Sequence, residues 1–267
     1  MIDNPRSPRV RAVAKLAKRE ARAETGLFLL EGPQAVSEAL AFRPELIVEL
    51  FATPTALDRY VDIARGASEA GVEPEFVSEQ VLDAMADTVT PQGIVAVCRQ
   101  FPTSLKDIFG NEPKLIAILE EVRDPGNAGT IIRAADAAGA DAVILTGRSV
   151  DLYNPKVVRA TTGSLFHVPV AMNVELESVV ERAKSAGLQV IGADIKGTDL
   201  LAARNAGVLT APTAWLFGNE ARGLSEEHYA LADRAITVPI YGHAESMNLA
   251  TAASVCLYES AFAQRST

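Results

Sequence analysis

Three polar segments in the second half of the chain carry residue types that can bind a ligand and act on it. The first extends from Glu121 to Arg133 and follows an apolar stretch that predicts a buried strand. Its Asn127 can fix a loop through side-chain hydrogen bonds, and the Arg133 guanidinium suits a phosphate or a developing oxyanion. The same pattern also fits a loop leading into a helix with a solvent-facing arginine, so this segment alone leaves both interpretations open.

The second segment, from Trp215 to Ser225, begins as a buried strand and ends as a glycine-rich loop. Gly218 permits a close backbone approach at the end of the strand. Glu220 follows in a tight loop that Gly223 closes. Parallel sheets bind ligands at the carboxyl ends of their strands, so we expect this loop at the same edge as the first segment. Alternatively, Glu220 only caps the next helix.

The third segment begins at Val238 and leads into the long final helix. Pro239 stops a short strand and Gly242 opens a loop. Ser246 or Asn248 then caps the helix. A capped terminal helix accounts for much of this pattern, and a functional interpretation adds that Ser246 and Asn248 also meet a ligand.

Alternating strand and helix patterns predict two α/β domains around these segments. Residues 1–100 form the first domain. Residues 101–113, with two prolines and mixed charges, are predicted to be a linker. Residues 114–267 form the second domain, with a largely parallel sheet. Other predicted elements include helices over 8–24, 56–70 and 130–138 and a strand over 167–171.

The charge of the chain is unevenly distributed. The net charge is −9, which by itself argues against a nucleic-acid partner. Residues 1–23, however, carry seven basic and two acidic side chains. Such a basic arm can contact phosphates, and Arg9 and Arg11 are its candidate contacts. A solvated amphipathic helix is the alternative.

Several common functional classes lack their sequence patterns. No two glycines are separated by a single residue, which excludes the dinucleotide-binding pattern Gly-x-Gly-x-x-Gly. The segment from Gly192 to Thr198 has the glycine spacing of a phosphate-binding loop but lacks its lysine. No Gly-x-Ser-x-Gly hydrolase pattern is present either.

Other features of the sequence bear on the cellular location of the protein and on metal binding. The apolar runs are too short to span a bilayer, and residues 1–6 lack an apolar signal core, so we expect a cytoplasmic protein without a membrane partner. Cys98 and Cys256 are far apart in the sequence, and both have apolar neighbours. This pattern is typical of small buried residues in a protein of a reducing compartment. The three histidines form no ligand spacing with them, and we expect no metal site.

The order and spacing of the three segments resemble the SpoU/TrmH branch of the SPOUT RNA methyltransferases. The matching patterns are Asn127-x5-Arg133, then Gly218-Asn-Glu-x-x-Gly-Leu, then Pro239-x-x-Gly-x3-Ser-Met-Asn, within residues 114–264. Upstream, Phe28-Leu-Leu-Glu-Gly and Asp87-Thr-Val-Thr-Pro-Gln-Gly-Ile-Val-Ala-Val resemble the small ribosomal-protein-like RNA-binding domain that precedes many such domains. The resemblance therefore covers nearly the whole chain.

The resemblance implies a fold, a cofactor and a reaction. The fold is an α/β domain whose C-terminal part threads a deep trefoil knot. S-adenosylmethionine lies in the knot, held by Gly218, Val238, Ile240 and Met247, where Met247 replaces a common leucine. The reaction transfers its methyl group to a ribose 2′-hydroxyl of structured RNA, with ribosomal RNA favoured over transfer RNA.

The resemblance also implies roles for the polar residues. Homodimers with composite sites are typical, so Asn127 and Arg133 of one subunit are expected to face the cofactor of the other. Arg133 is the leading catalytic residue; since guanidinium is a poor base, it positions phosphate or stabilises an alkoxide. Glu220, Ser246 and Asn248 orient the ribose and Arg133.

The sequence offers one further candidate RNA contact, and it leaves three alternative functions open. Arg159 lies in another family-like segment, Asn154-x-Lys-x-x-Arg-Ala-x-x-Gly, and is a candidate RNA phosphate contact. The alternatives are a transfer RNA methyltransferase, an RNA-binding relative that has lost catalysis, and a small-molecule α/β enzyme, which the acidic composition favours.

Overall fold

The computed structural model describes residues 1–266. They form two compact units: Met1–Phe101 with Tyr153–His167, called the N-terminal unit, and Pro102–Leu152 with the chain from Val168, called the C-terminal unit. The strands are β1 (Leu27–Glu31), β2 (Ile47–Ala52), β3 (Pro74–Phe76), β4 (Ile94–Arg99), β5 (Leu115–Glu120), β6 (Ala142–Thr146), β7 (Val170–Val174), β8 (Gln189–Asp199), β9 (Thr213–Phe217) and β10 (Arg234–Thr237). The α-helices are α1 (Pro8–Lys15), α2 (Arg19–Thr25), α3 (Pro33–Phe42), α4 (Pro54–Arg59), α5 (Val61–Ala70), α6 (Glu79–Met85), α7 (Leu105–Gly110), α8 (Pro125–Ala138), α9 (Pro155–Thr161), α10 (Leu176–Ser185), α11 (Leu200–Asn205), α12 (Glu226–Leu231) and α13 (Leu249–Arg265).

The N-terminal unit is built on a four-stranded mixed sheet of order β1-β4-β2-β3. Strand β4 is antiparallel to both of its neighbours, whereas β2 and β3 are parallel. The apolar run from Ile94 to Cys98 in β4 is buried throughout, as expected of a central strand that is covered on both faces. This arrangement confirms a small α/β fold ahead of the larger one.

The C-terminal unit contains a six-stranded sheet of order β10-β8-β9-β5-β6-β7. Every neighbouring pair is parallel, which confirms the parallel sheet predicted from the sequence. Ile116 and Ile118 of β5 pack into a core with α7 and α10. Helices α8 and α13 pack against each other and against β5. Because the strands are parallel, the three polar segments follow β5, β9 and β10 at one edge of the sheet.

The single helix predicted over 8–24 is wrong, because α1 ends at Lys15 and α2 begins at Arg19. The guanidinium of Arg22 is buried and donates to the carbonyl oxygens of Leu16 and Ala17, both at 2.9 Å. Carbonyl groups at the end of a helix lack hydrogen-bond donors from the helix itself, and the Arg22 guanidinium supplies these donors. Composition alone does not reveal this break, because Ala, Lys and Arg favour helix on both sides of it.

Helix α8 begins five residues before the predicted start at Thr130. The Asp124 side chain is the N-cap and accepts a hydrogen bond from the N–H of Asn127 at 2.7 Å. Pro125 occupies the first turn, where its missing N–H has no cost. Arg133 therefore lies more than two turns into the helix, and not in the first turn as the sequence suggested.

Three other elements differ from the prediction. The helix predicted over 56–70 divides at Tyr60 into α4 and α5. The strand predicted over 167–171 lies at 170–174 as β7, because 164–166 form a 3-10 helix. The segment 101–113, predicted to be a linker, contains α7, and Ser104 caps this helix by accepting a hydrogen bond from the Asp107 N–H at 3.1 Å.

The trefoil knot stays a prediction.

Within residues 1–266, no helix combines the length and apolarity needed to cross a membrane. The same residues include no group of three or more His, Cys, Asp or Glu side chains placed to hold a metal ion. Cys98 and Cys256 are both buried and unpaired with each other, and burial raises the pKa of each thiol to about 12. Neither thiol is therefore activated as a nucleophile.

Candidate active site

A cleft opens at the carboxyl ends of β9 and β10, beside the middle of β8. It has about 660 Å³ of space including its open mouth. Five predicted site residues line it: Glu220, Val238, Ile240, Ser246 and Met247. The other lining residues, which the sequence reasoning did not single out, are Ala193, Asp194, Ile195, Phe217, Asn219, Ile236, Thr237, Leu249 and Ala252.

Two glycines shape the loop between β9 and α12. A Cβ on Gly218 would lie only 2.6 Å from the Gly223 carbonyl oxygen and from the Leu224 nitrogen. Asn219 and Gly223 exchange two backbone hydrogen bonds, at 3.1 and 2.8 Å. Gly223 has φ of 65°, which favours glycine. Gly218 thus lets the loop fold back on itself, and its direct contact with a cofactor stays a prediction.

Glu220 and Asn219 attach this loop to the segment after β5. The N–H of Asp124 donates to Glu220 Oε1 at 2.9 Å, and the N–H of Arg123 lies 3.2 Å from each carboxylate oxygen. Asn219 Nδ2 donates to the carbonyl oxygen of Glu121 at 2.8 Å. Sequence reasoning missed Asn219, although its place directly after β9 and before Glu220 was an available signal. These bonds hold the Glu220 carboxylate in place at the cleft.

Asn248 joins the third segment to the first. Its Oδ1 accepts from the Thr251 N–H at 3.2 Å, so Asn248 is the N-cap of α13. Its Nδ2 donates to Asn127 Oδ1 at 2.9 Å. Ser246 is exposed and lines the cleft, and it does not cap the helix. The structure therefore selects Asn248 from the two capping residues that the sequence left open.

Arg133 is exposed on α8 and does not line the cleft of its own chain. The buried face of this helix carries residues such as Ile131 and Ile132, whereas Arg133 points away from the core. Among residues 1–266, no carboxylate pairs with the Arg133 guanidinium. A single chain thus brings Glu220, Ser246, Asn127 and Asn248 to one region and leaves Arg133 free.

Arg159, a predicted RNA contact, lies in the N-terminal unit and is engaged in an ionic network. Its guanidinium contacts Glu31 Oε2 at 2.5 Å and Asp87 Oδ2 at 2.9 Å. The Glu31 side chain is 4% exposed and also accepts from the N–H groups of Asp87 and Thr88, at 2.8 and 3.1 Å. Arg159 therefore connects α9 to β1 and to the loop after α6. Its role toward RNA stays a prediction.

The two arginines predicted as RNA contacts in α1 have different surroundings. Arg9 pairs with Glu49 at 2.7 Å and with Glu75 at 2.5 Å, and its guanidinium lies 5.2 Å from the centre of the Phe51 ring. Burial opposes its charge, but these carboxylates prevail and raise the pKa of Arg9. Arg11 is exposed, and no carboxylate within residues 1–266 pairs with it. Arg11 is thus the freer of the two cations.

The parallel sheet and the polar cleft at its strand ends define an α/β enzyme with a small-molecule cofactor site. Residues 114–258 match the profile of the SpoU rRNA methylase family, and residues 29–104 match that of the RNA 2′-O ribose methyltransferase substrate-binding domain. The chain belongs to the SpoU rRNA methylase family, whose members are RNA 2′-O-ribose methyltransferases.

Similar proteins support the same assignment over nearly the full length. The 23S rRNA (guanosine(2553)-2′-O)-methyltransferase of Bacillus subtilis is 34% identical over 96% of this chain and 97% of its own. The 23S rRNA (uridine(2479)-2′-O)-methyltransferase of Streptomyces viridochromogenes is 31% identical over 92% of this chain and 86% of its own. An AdoMet-bound rRNA methyltransferase from Sinorhizobium meliloti has a TM-score of 0.84 and 32% identity, covering 97% of this chain and 96% of that one.

The residues of the cleft fit S-adenosylmethionine, the methyl donor of this family. Apolar surface suited to an adenine ring and a methionine side chain comes from Ile195, Ile240 and Met247, which are exposed and line the cleft. The carboxylates of Asp194 and Glu220 suit the cationic groups and hydroxyls of such a ligand. Within the described chain, the backbone of 239–247 forms no backbone hydrogen bonds and so leaves its polar groups available. The enzyme is an S-adenosylmethionine-dependent methyltransferase.

Proposed function

We propose that this protein methylates the 2′-hydroxyl of one nucleotide in 23S ribosomal RNA. The observation that carries the proposal is the joining of three loops at the cleft. Glu220 is bonded to the backbone before α8, and Asn248 is bonded to Asn127 in α8. Relatives of similar length are named as 23S rRNA 2′-O-methyltransferases, which favours ribosomal over transfer RNA.

Each polar residue of the site has a separate role in aligning the acceptor ribose. Bound S-adenosylmethionine supplies an electrophilic methyl group on a sulfonium. A ribose hydroxyl is a weak nucleophile, so its placement and the stabilisation of its developing charge dominate the rate. Arg133 donates to the forming alkoxide or to the adjoining phosphate. Glu220 and Ser246, both at the cleft, orient the ribose, and Asn127 and Asn248 hold the two helix starts in register.

A second copy of the chain supplies Arg133 to each cleft in this proposal. Arg133 does not line its own cleft, although it lies on the helix that Asn127 joins to the site. Apolar side chains that a partner could cover lie on α13, which packs against α8: Phe262 is 51% exposed, and its ring centre is 5.5 Å from that of Tyr258. These observations support a homodimer with composite sites.

Complementation tests the dimer directly. Arg133→Ala and Glu220→Ala subunits are each expected to be inactive as homodimers. Mixed after reversible dissociation, they should regain activity, because one composite site per heterodimer keeps both residues. No regain, with heterodimer formation verified by mass, would place Arg133 and Glu220 in the same subunit's site.

The N-terminal unit supplies RNA affinity in this proposal. Residues 1–100 are the substrate-binding domain, 101–113 the linker and 114–267 the methyltransferase domain, in a cytoplasmic protein. Residues 153–167 belong by their contacts to the N-terminal unit, and they include Arg159. Arg9, Arg11 and Arg159 are the candidate phosphate contacts, of which Arg11 is exposed and unpaired with any described carboxylate.

Mapping of 2′-O-methylated nucleotides tests the reaction and its target. Ribosomal RNA from a deletion strain should lack one 2′-O-methyl group that the parent strain carries, and purified protein should restore it from S-adenosylmethionine. Loss of a methyl group from transfer RNA alone would contradict the ribosomal target. RNA binding without cofactor binding would indicate a relative that has lost catalysis.

A further inference from the structure

A second cavity lies at the same sheet edge as the cofactor cleft. It has about 620 Å³ of space including its opening, and Asn219 is the one residue that lines both spaces. The polar residues around it come from the end of β5, the loop after β9 and the start of α12. They are Glu120, Glu121, Asn219, Arg222, Ser225 and His228. None of the roles proposed above uses this cavity.

Glu120 is the most unusual residue of this cavity. Although it lines the space, its side chain is only 6% exposed. Thr146 Oγ1 contacts Oε2 at 2.5 Å. His228 Nδ1 lies 3.5 Å from Oε1, which is too long for a strong hydrogen bond. Within residues 1–266, Oε1 therefore accepts no short hydrogen bond.

Gly147 keeps the space beside this oxygen free of a side chain. A Cβ at Gly147 would lie 2.7 Å from Glu120 Oε1, and its φ of 59° also favours glycine. Oε1 is not fully buried, so it can accept a hydrogen bond from a group in the cavity. A ligand with an N–H donor would supply that bond.

A second recognition group faces the same cavity from its rim. Arg222 pairs with Glu121 Oε2 at 2.8 Å, yet its side chain is 66% exposed. An exposed ion pair of this kind contributes little stability, so the guanidinium can turn to a ligand at small cost. Arginine recognises the O6 and N7 acceptors of guanine with two parallel hydrogen bonds.

The cavity and the ribose-orienting residues are built from the same two loops. Glu220 follows Asn219 directly, and the N–H groups of Arg123 and Asp124 that hold Glu220 come just after Glu121. A nucleotide whose ribose lies at Glu220 is therefore next to Asn219, which lines both this cavity and the cofactor cleft. Relatives named for a guanosine and for a uridine show that base choice differs among similar enzymes.

We propose that this cavity receives the guanine base of the target nucleotide, with its 2-amino group donating to Glu120 Oε1 and its O6 and N7 accepting from Arg222. The inference rests on the proposed function, since it names the base whose ribose is methylated. It assigns Glu120 and Arg222 as specificity-determining residues, separate from those that hold the cofactor.

Methyl transfer to matched RNA fragments tests the base contact. The fragments contain the mapped site and carry guanosine, inosine or 7-deazaguanosine at the target position. We expect the wild-type single-turnover rate to fall about ten-fold or more for inosine, which lacks the 2-amino group, and for 7-deazaguanosine, which lacks N7. Glu120→Leu should make the guanosine and inosine rates equal, and Glu120→Gln, which keeps an acceptor oxygen, should retain part of the preference.

Two controls separate specificity from folding. Glu181→Leu changes an exposed acid of α10 that lies outside the cavity lining, and it should keep the wild-type preference. The dissociation constant for S-adenosylmethionine, measured by calorimetry, should be unchanged in every variant. Arg222→Ala provides an independent arm, because this exposed residue can be removed without disturbing the core, and it should equalise the guanosine and 7-deazaguanosine rates.

The outcomes that contradict the inference differ from those that contradict the proposed function. A mapped target other than guanosine, equal wild-type rates on all three fragments, or a full inosine preference in Glu120→Leu would each overturn the guanine site. Absence of methyl transfer by wild-type protein that binds the cofactor would instead overturn the proposed function.

Discussion

Asn248 Nδ2 donates a hydrogen bond to Asn127 Oδ1 at 2.9 Å, and these two residues are 121 positions apart in the chain. The bond connects the N-cap of α13 to the first turn of α8. The three polar segments therefore meet through defined contacts, because Glu220 of the second segment also bonds to the first, at the N–H of Asp124. Each end of the bond can be changed separately.

Substitutions at Asn248 should separate its capping role from its bond to Asn127. Asn248→Ser keeps a side-chain oxygen for the Thr251 N–H but is too short to reach Asn127, so stability should change little while methyl transfer slows. Asn248→Ala loses both and should also cost about 1 kcal/mol of unfolding free energy. Chemical denaturation and single-turnover rates measure the two effects. If adding Asn127→Ala to the Asn248→Ser variant slows transfer further, the bond is not the source of the effect.

Removal of the Arg133 side chain should affect the reaction and not the fold. The residue is exposed and lies on the outer face of α8, so Arg133→Ala should stay within about 0.5 kcal/mol of wild-type stability. The methyl-transfer rate should fall by about 10²-fold or more, as for loss of a group that stabilises developing negative charge. Arg133→Lys should recover only part of the rate, because it lacks the two-pronged donor. Wild-type rates in Arg133→Ala would contradict a catalytic role.

A methyl group at Gly218 should disrupt the loop that closes the cofactor cleft. The new Cβ would press on the backbone of Gly223 and Leu224, and two backbone hydrogen bonds hold Gly223 to Asn219. We expect Gly218→Ala to cost about 1–3 kcal/mol and to weaken S-adenosylmethionine binding, measured by denaturation and calorimetry. Gly110→Ala is the control, since a Cβ there meets no atom within 4 Å. Tight cofactor binding by Gly218→Ala would show that the loop tolerates displacement.

The stability contribution of Glu120 should depend on pH. Burial raises the pKa of Glu120, opposed by the Thr146 hydrogen bond and by His228, while the charges of Glu121 and Glu177 reinforce the increase. The pKa of Glu120 is higher in the folded protein than in the unfolded protein. The stability that the neutral side chain contributes is therefore lost as pH rises from the unfolded pKa through the folded pKa. Glu120→Gln should therefore melt above wild type near pH 7 and match it near pH 4, both pH values being approximate. Melting curves across this interval measure the difference, and a constant offset would exclude titration of Glu120 as its cause.

The ionic network of Arg159 should contribute to the stability of the N-terminal unit. Arg159→Ala leaves the buried Glu31 carboxylate with only two backbone donors, and we expect a cost of about 2 kcal/mol. Arg65→Ala is the matched control, because its pair with Asp62 is exposed and should contribute less than about 0.5 kcal/mol. Equal stability of the two variants, measured by denaturation, would show that the ionic network contributes little stability and that Arg159 is available to bind RNA.

Much of the architecture follows from local patterns in the sequence. Alternating apolar strands and helices predict both α/β folds, and the order of the three polar segments identifies the family. The positions of Glu220, Val238, Ile240, Ser246 and Met247 at one cleft also follow, because parallel strands end at a common edge. Such features depend on residues that are near one another in the chain, or on a rule that applies to every parallel sheet.

Other features depend on residues that are distant in sequence, and only the tertiary structure decided them. Arg159 looks like a free cation in the sequence, yet it pairs with Glu31, 128 residues away. Glu120 looks like the polar end of a strand, yet Thr146 and Gly147 enclose its carboxylate at a second cavity. Whether a charged group is free, paired or buried depends on the groups around it in space, and periodicity along the chain does not record them.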